Sequence, residues 1–271
     1  MPKFFVVSDV HSFYTPLKKA LDDKGFDQNN EDHWLIVCGD AFDRGDESYE
    51  MLKFLMQLER KILIRGNHDD LLEECCMREF YHFHDAANGT KKTIEDIGGA
   101  GYGRPFDECC QITLNKTAAY RSLLRNYFET KNYIFVHGWI PCECYGDGYD
   151  PNKPWHQYNK TFKYKSDWRD GDDVEWESAR WINGIKRAYD GIIEPGKTIV
   201  CGHWHCSYGH MLDSVETDKW ISEFEEDSIW TPWYHEGCIA IDRCTAHTGE
   251  VNVLVLEDEF LDGDSNGNNQ D

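Results

Sequence analysis

Trp34-Leu35-Ile36-Val37-Cys38-Gly39-Asp40-Ala41-Phe42-Asp43-Arg44-Gly45 opens on five apolar residues and then turns abruptly polar. A short apolar, partly β-branched run of this kind predicts a buried strand, and Gly39 marks where it stops. The same grammar recurs along the chain. Phe4 to Val7 precedes Asp9 and His11, Ile62 to Ile64 precedes Asn67 and His68, Tyr133 to Val136 precedes His137, and Thr198 to Cys201 precedes His203 and His205. Helical repeats lie between these runs: Leu17, Ala20 and Leu21 after Thr15-Pro16; Met51, Phe54, Leu55 and Leu58; and Tyr120, Leu123, Leu124 and Tyr127. Alternating strands and helices predict an α/β chain. Near the end, Cys238 to Ile241 and Val251 to Leu256 read as an antiparallel hairpin, which makes the sheet mixed.

Composition narrows the field. The 271 residues are 40% hydrophobic and 14% aromatic, so the chain is globular over most of its length. With 28 Lys and Arg against 50 Asp and Glu, the net charge of -22 repels long nucleic acid and anionic membrane. No run approaches the roughly 20 apolar residues of a membrane span, and the apolar start is too short for a secretory signal. Eleven cysteines, an odd number that includes the doublets Cys75-Cys76 and Cys109-Cys110, predict reduced thiols and a cytoplasmic protein. One domain over residues 1–257 is expected, with a cap inserted at about 139–196, where aromatic and charged residues mingle without period. Residues 258–271 are expected to be an acidic, disordered tail.

One Asp or His after a strand is usually a turn former, but five strand ends carrying such residues are a pattern. In an α/β sheet, ligands bind outside the carboxyl ends of the strands, so these side chains should converge. Their mix of imidazole, carboxylate and amide oxygen, without cysteine, suits a hydrolytic pair of divalent metal ions. Two rival readings explain less. Cys38 and Arg44 formally match the loop of cysteine-dependent phosphatases, yet Asp40 and Asp43 inside it would repel a phosphate dianion. An acidic binding module without catalysis leaves the aligned residues unexplained.

On the blocks Asp9-Val10-His11, Gly39 to Gly45, Arg65-Gly66-Asn67-His68-Asp69, His137-Gly138 and Gly202-His203-Trp204-His205, the chain resembles the calcineurin-like metallophosphoesterases, in particular their phosphoprotein phosphatase branch. The resemblance implies mixed β-sheets in a sandwich flanked by helices. It implies that Asp9, His11 and Asp40 hold one ion, joined by His205, and that Asp40, Asn67, His137 and His203 hold the other. Manganese is the first expectation for both ions, with iron, zinc, cobalt or nickel also suiting the set. Such a pair lowers the pKa of a bridging water and clamps phosphoryl oxygens during in-line attack. His68 is then the general acid, Asp43 orients its ring, and Arg44 grips phosphate with its planar fork. Arg180 is expected to add a second phosphate contact, with Arg169 in reserve. The chain departs from the branch at Ser12, Asp69, Trp139 and His205, which bears on substrate more than on metal. A phosphorylated substrate is implied: phosphoserine or phosphothreonine in proteins first, with dinucleoside polyphosphates or small phosphodiesters as the alternative.

Overall fold

A computed structural model describes residues 1–145, 161–216 and 221–261. The strands are β1 Lys3–Val7, β2 His33–Cys38, β3 Lys61–Ile64, β4 Leu124–Arg125, β5 Phe128–Glu129, β6 Tyr133–Phe135, β7 Cys142–Tyr145, β8 Thr161–Tyr164, β9 Thr198–His205, β10 Trp233–His235, β11 Cys238–Asp242 and β12 Leu254–Glu257. The helices are α1 Tyr14–Asp23, α2 Ser48–Gln57, α3 Asn67–Arg78, α4 Phe83–Asn88, α5 Thr90–Gly98, α6 Phe106–Arg121, α7 Asp173–Arg180, α8 Gly184–Tyr189, α9 Cys206–Glu216 and α10 Thr245–Thr248.

Two five-stranded sheets stack, in the orders β12-β1-β2-β3-β4 and β10-β11-β9-β6-β5. In the first, β1 to β4 are parallel and β12 is antiparallel; in the second, β11, β9 and β6 are parallel between antiparallel edges. Alternation along β1 explains its unbroken apolar run. Phe4 and Val6 pack between the sheets with Ile36, Ile62, Phe135, Val200 and Ile241, whereas Phe5 and Val7 pack under the helices with Leu17, Leu55, Leu72 and Ile94. A third core, holding Trp139, Trp168, Trp176, Ile185 and Trp233, covers the other face of the second sheet. Both sheets are therefore apolar on both faces, and polar residues collect at the strand ends.

Several expectations need correction. The repeat at Tyr120 to Tyr127 is not one helix: α6 ends at Arg121, and Leu124 pairs with Leu63 as an edge strand. Pairing across the sheet overrides the local period there. Cys238 to Ile241 and Val251 to Leu256 are not a hairpin, because β11 joins the second sheet and β12 pairs with β1 in the first. The chain crosses between the sheets through α10, which starts after Cys244 at φ +53°. Residues 258–261 are held to the body. Asp258 accepts hydrogen bonds from the backbone and side chain of Asn132, at 2.8 and 2.6 Å, and Phe260 lies edge-on to Phe4. The rest of the predicted tail lies outside the described residues. Of the segment expected as a cap, Trp139, Trp168, Trp176 and Ile185 pack in the third core, Trp181 lines a cavity at the strand ends, and residues 146–160 lie outside the described residues. No helix among the described residues is long and apolar enough to cross a membrane.

Candidate metal centre

Five strand ends meet at one cavity of about 140 Å³, lined by Asp9, His11, Asp40, Arg44, Asn67, His68, His203, His205 and Asp242, among others, and His137 at the end of a sixth lies against Asp40. The backbone turns sharply to bring them there. Among the described residues nine non-glycine positions have positive φ, and six of them are Asp9, His11, Asp40, Asp43, Arg44 and His203. Strain of this kind persists only where the surroundings over-determine it. Close approach is as strict: a Cβ on Gly39, itself at φ +78°, would overlap the His137 ring, and one on Gly202 would overlap the Asp9 carboxylate.

Asp40 is the centre of the donor set. Its Oδ2 lies 3.4 Å from His137 Nε2 and 3.9 Å from the Nε2 atoms of His11 and His68. Burial alone would raise Asp40, but His137, His68, His11 and His203 outweigh it and hold the carboxyl well below its usual range. Two buried groups share this residue: His11, Asp40 and His68, and Asp40, His137 and His203, the donor atoms of each group lying within 4.8 Å of one another.

The imidazoles are oriented from behind. His11 Nδ1 is 2.9 Å from the Phe42 carbonyl and His137 Nδ1 is 3.0 Å from the Cys38 carbonyl, so each Nδ1–H donates backwards and Nε2 faces Asp40. The His203 ring lies edge-on to the Trp181 indole, with centroids 5.9 Å apart. Burial pushes His11 and His203 down to about 3, so both are neutral at physiological pH. His137 Nε2 lies 2.8 Å from Asn67 Oδ1, with the Asp40 carboxylate beside them. Imidazole nitrogen, amide oxygen and carboxylate converging in this way are what a divalent cation takes as ligands, and the donor set fits a pair of such ions. Asp9 lines the same cavity, and its Oδ2 accepts from the His203 N–H at 2.9 Å.

His68 differs from the other rings. Burial alone would lower it, but Asp40 and Asp43 outweigh burial and hold it up at about 8. Its Nδ1 lies 2.8 Å from Asp43 Oδ2. That carboxylate is itself fixed, accepting from Thr90 Oγ1 at 2.6 Å and Thr93 Oγ1 at 2.8 Å. Arg44 Nη2 stands 3.5 Å from His68 Nε2 on the cavity wall. Asp69 closes the first turn of α3, accepting from the Gly66 N–H and from the Tyr120 hydroxyl.

Three expected residues fall elsewhere. His205 lines the cavity but belongs to neither donor group; its Nε2 is 3.1 Å from Glu223 and its Nδ1 3.9 Å from Asp242. Arg180 does not reach the cavity: its Nε donates to Asp70 at 2.7 Å and its Nη1 to Asn126 at 3.0 Å. Arg169 is committed to Glu129 and Glu194. Thr90, Thr93 and Asp242 were missed. Asp242 ends β11, and the strand-then-acid pattern could have found it had that strand not been assigned to a hairpin.

The family model of calcineurin-like phosphoesterases matches residues 2–231. Symmetrical bis(5'-nucleosyl)-tetraphosphatase of Pseudomonas fluorescens is 38% identical over 138 residues, which are 51% of this chain and 43% of that protein. The protein of the same name from Proteus mirabilis is 38% identical over 66 residues, 24% of this chain and 23% of its own. The chain thus matches less than half the length of these curated relatives. The crystal structure of the cold-active protein-tyrosine phosphatase of a psychrophilic Shewanella superposes with a TM-score of 0.50 at 16% identity, covering 95% of this chain and 76% of that one, and this is a likeness of fold alone. Because the matched span runs through every strand-end block from Asp9 to His205, the chain belongs to the calcineurin-like phosphoesterases, and it is a metallophosphoesterase, a hydrolase of phosphoric esters.

Proposed function

We propose that this hydrolase acts on dinucleoside polyphosphates, splitting a phosphoanhydride with water. The observation that carries the reading is the 38% identity to proteins named symmetrical bis(5'-nucleosyl)-tetraphosphatase. A narrow cavity of about 140 Å³ with Arg44 on its wall suits a phosphate chain. Asp9, His11 and Asp40 would hold one divalent ion, and Asp40, Asn67, His137 and His203 the other, manganese being the first choice. When bound, these ions supply Lewis acidity and a nucleophile at neutral pH.

The chain's own groups do the rest. Arg44 binds phosphoryl oxygens through its planar fork and takes up charge that spreads over them in flight. His68 carries a proton at neutral pH, because it is held up at about 8. As the water oxygen bonds to phosphorus and the bridging P–O bond breaks, Nε2 of His68 passes its proton to the departing oxygen. Asp43, locked by Thr90 and Thr93, keeps the ring aimed.

The test is product analysis with manganese-loaded protein and diadenosine tetraphosphate. Two molecules of ADP per substrate support the reading. AMP with ATP would keep the substrate class and move the cut to an outer anhydride; no turnover beside rapid release of phosphate from a phosphoserine peptide overturns the reading in favour of the phosphoprotein activity expected from the sequence.

A further inference from the structure

The third core takes its tryptophans fully out of water: Trp139, Trp168, Trp176 and Trp233 are each at most 3% exposed. Trp181 is 49% exposed, and it lines the metal cavity. A large aromatic side chain left half in water contributes little to folding. Its position is nevertheless firmly set. Trp181 follows α7, whose last carbonyls lie against Gly138; a Cβ there would meet the carbonyls of Ala179 and Arg180 at 2.6 and 2.7 Å. The Trp139 N–H donates to the Ala179 carbonyl at 3.1 Å, and the Trp181 N–H donates to the Ser178 carbonyl at 3.2 Å. The indole therefore stands beside the His137 and His203 strand ends, with one edge-on ring contact among the described residues, to His203 at 5.9 Å and 87°.

We infer that Trp181 is a nucleobase platform: its indole stacks on the base of a nucleotide whose phosphates enter the metal cavity. This deepens the proposed dinucleoside polyphosphate activity and rests on it. The chemistry is complementary, since a rigid, sequence-tolerant π surface binds a base without needing donors matched to its edge, while Arg44 and the metal donors take the phosphates. Phe224 is the obvious competitor, 51% exposed and 4.8 Å from His205. Its ring, however, already packs with His205, Trp230 and His247. Among the described residues, Trp181 has the less occupied ring.

The experiment compares AMP with inorganic phosphate, each titrated calorimetrically into manganese-loaded protein, so that phosphate affinity is the internal reference. Wild type should bind AMP about 10-fold tighter than phosphate, the gain expected from one stacked base. Trp181→Ala should bring that ratio to about 2 or below, and Trp181→Phe, which keeps a ring, should restore most of it. Phe224→Ala should leave the ratio intact. Metal content and melting temperature of each variant separate lost stacking from lost folding. A wild-type ratio near one, or an undiminished ratio in Trp181→Ala, overturns the inference, as does loss of the ratio in Phe224→Ala alone. Failure to hydrolyse diadenosine tetraphosphate is a separate result: it removes the proposed activity, while the AMP ratio still decides whether the indole binds a base.

Discussion

The metal cavity and the cavity lined by Arg65, Asp70, Glu73 and Arg180 both border helix α3, whose first residues, Asn67 and His68, line one and whose next turns line the other. They are opposite in electrostatic design. The second is larger, about 370 Å³ against about 140 Å³, and richer in formal charge. Its guanidinium groups are answered: Arg65 binds Asp70 and Glu73 at 2.7 and 2.6 Å, and Arg180 binds Asp70 at 2.7 Å. The smaller cavity brings the Asp40 carboxylate together with the His11, His137 and His203 imidazoles and the Asn67 amide oxygen, with no side-chain cation among the described residues paired to Asp40 other than histidine. Size and charge do not mark the reactive site; unanswered donor atoms do.

The contrast is broken most severely at Asp40. Asp40→Asn removes the charge common to both donor groups, so hydrolysis should fall by about 10³-fold or more, with loss of bound metal read by elemental analysis. Normal turnover at full metal content would show that the donors are ordinary buried polar groups. His68→Asn comes next. It should keep its metals and lose roughly 10² to 10⁴ in kcat on esters with poor leaving groups, and much less on p-nitrophenyl phosphate, whose leaving group needs no proton. Equal losses on both substrates would remove His68 from proton transfer.

On the answered side the effects should be of stability. Arg180→Ala leaves Asp70 short of a partner in a site where Arg180 itself is only 8% exposed. A cost of about 2 kcal/mol is expected, seen as a lower Tm with unchanged kinetics per folded molecule. A raised KM at unchanged Tm would return Arg180 to phosphate binding. The smallest effect is at Glu194. Burial would raise its carboxyl, but hydrogen bonds from Tyr164, Trp168 and Arg169 outweigh burial and hold it below the usual glutamate range. Its folded pKa is the lower one, so its contribution is fully present above the unfolded value of about 4.3 and is lost as pH falls through the folded value. Glu194→Gln should flatten the acid limb of thermal stability; an unchanged limb would show that Glu194 carries none of it.

The strand ends were legible because a buried strand and the polar residue that stops it are adjacent in sequence. That locality covers Asp9, His11, Asp40, Asn67, His137 and His203, which the fold brings to one cavity. What depended on distant pairing was not legible. Leu124 takes the helical spacing of Tyr120 but pairs with Leu63. Asp242 was hidden by assigning β11 and β12 to one hairpin, although they lie in different sheets. Arg180 sits next to Trp181 in sequence, yet the helix end sends the guanidinium to Asp70 and leaves the indole beside His203. Adjacent residues that leave a helix end on different faces cannot be assigned to one site from spacing alone.

The central claim is that two cations belong in the smaller cavity, shared through Asp40. Metal-free protein titrated with manganese, with stoichiometry read by calorimetry and elemental analysis, tests it most directly. Two ions per chain, falling to one or none in Asp40→Asn and staying at two in Arg180→Ala, is the predicted result; no more than one ion in wild type, or two retained in Asp40→Asn, would contradict it.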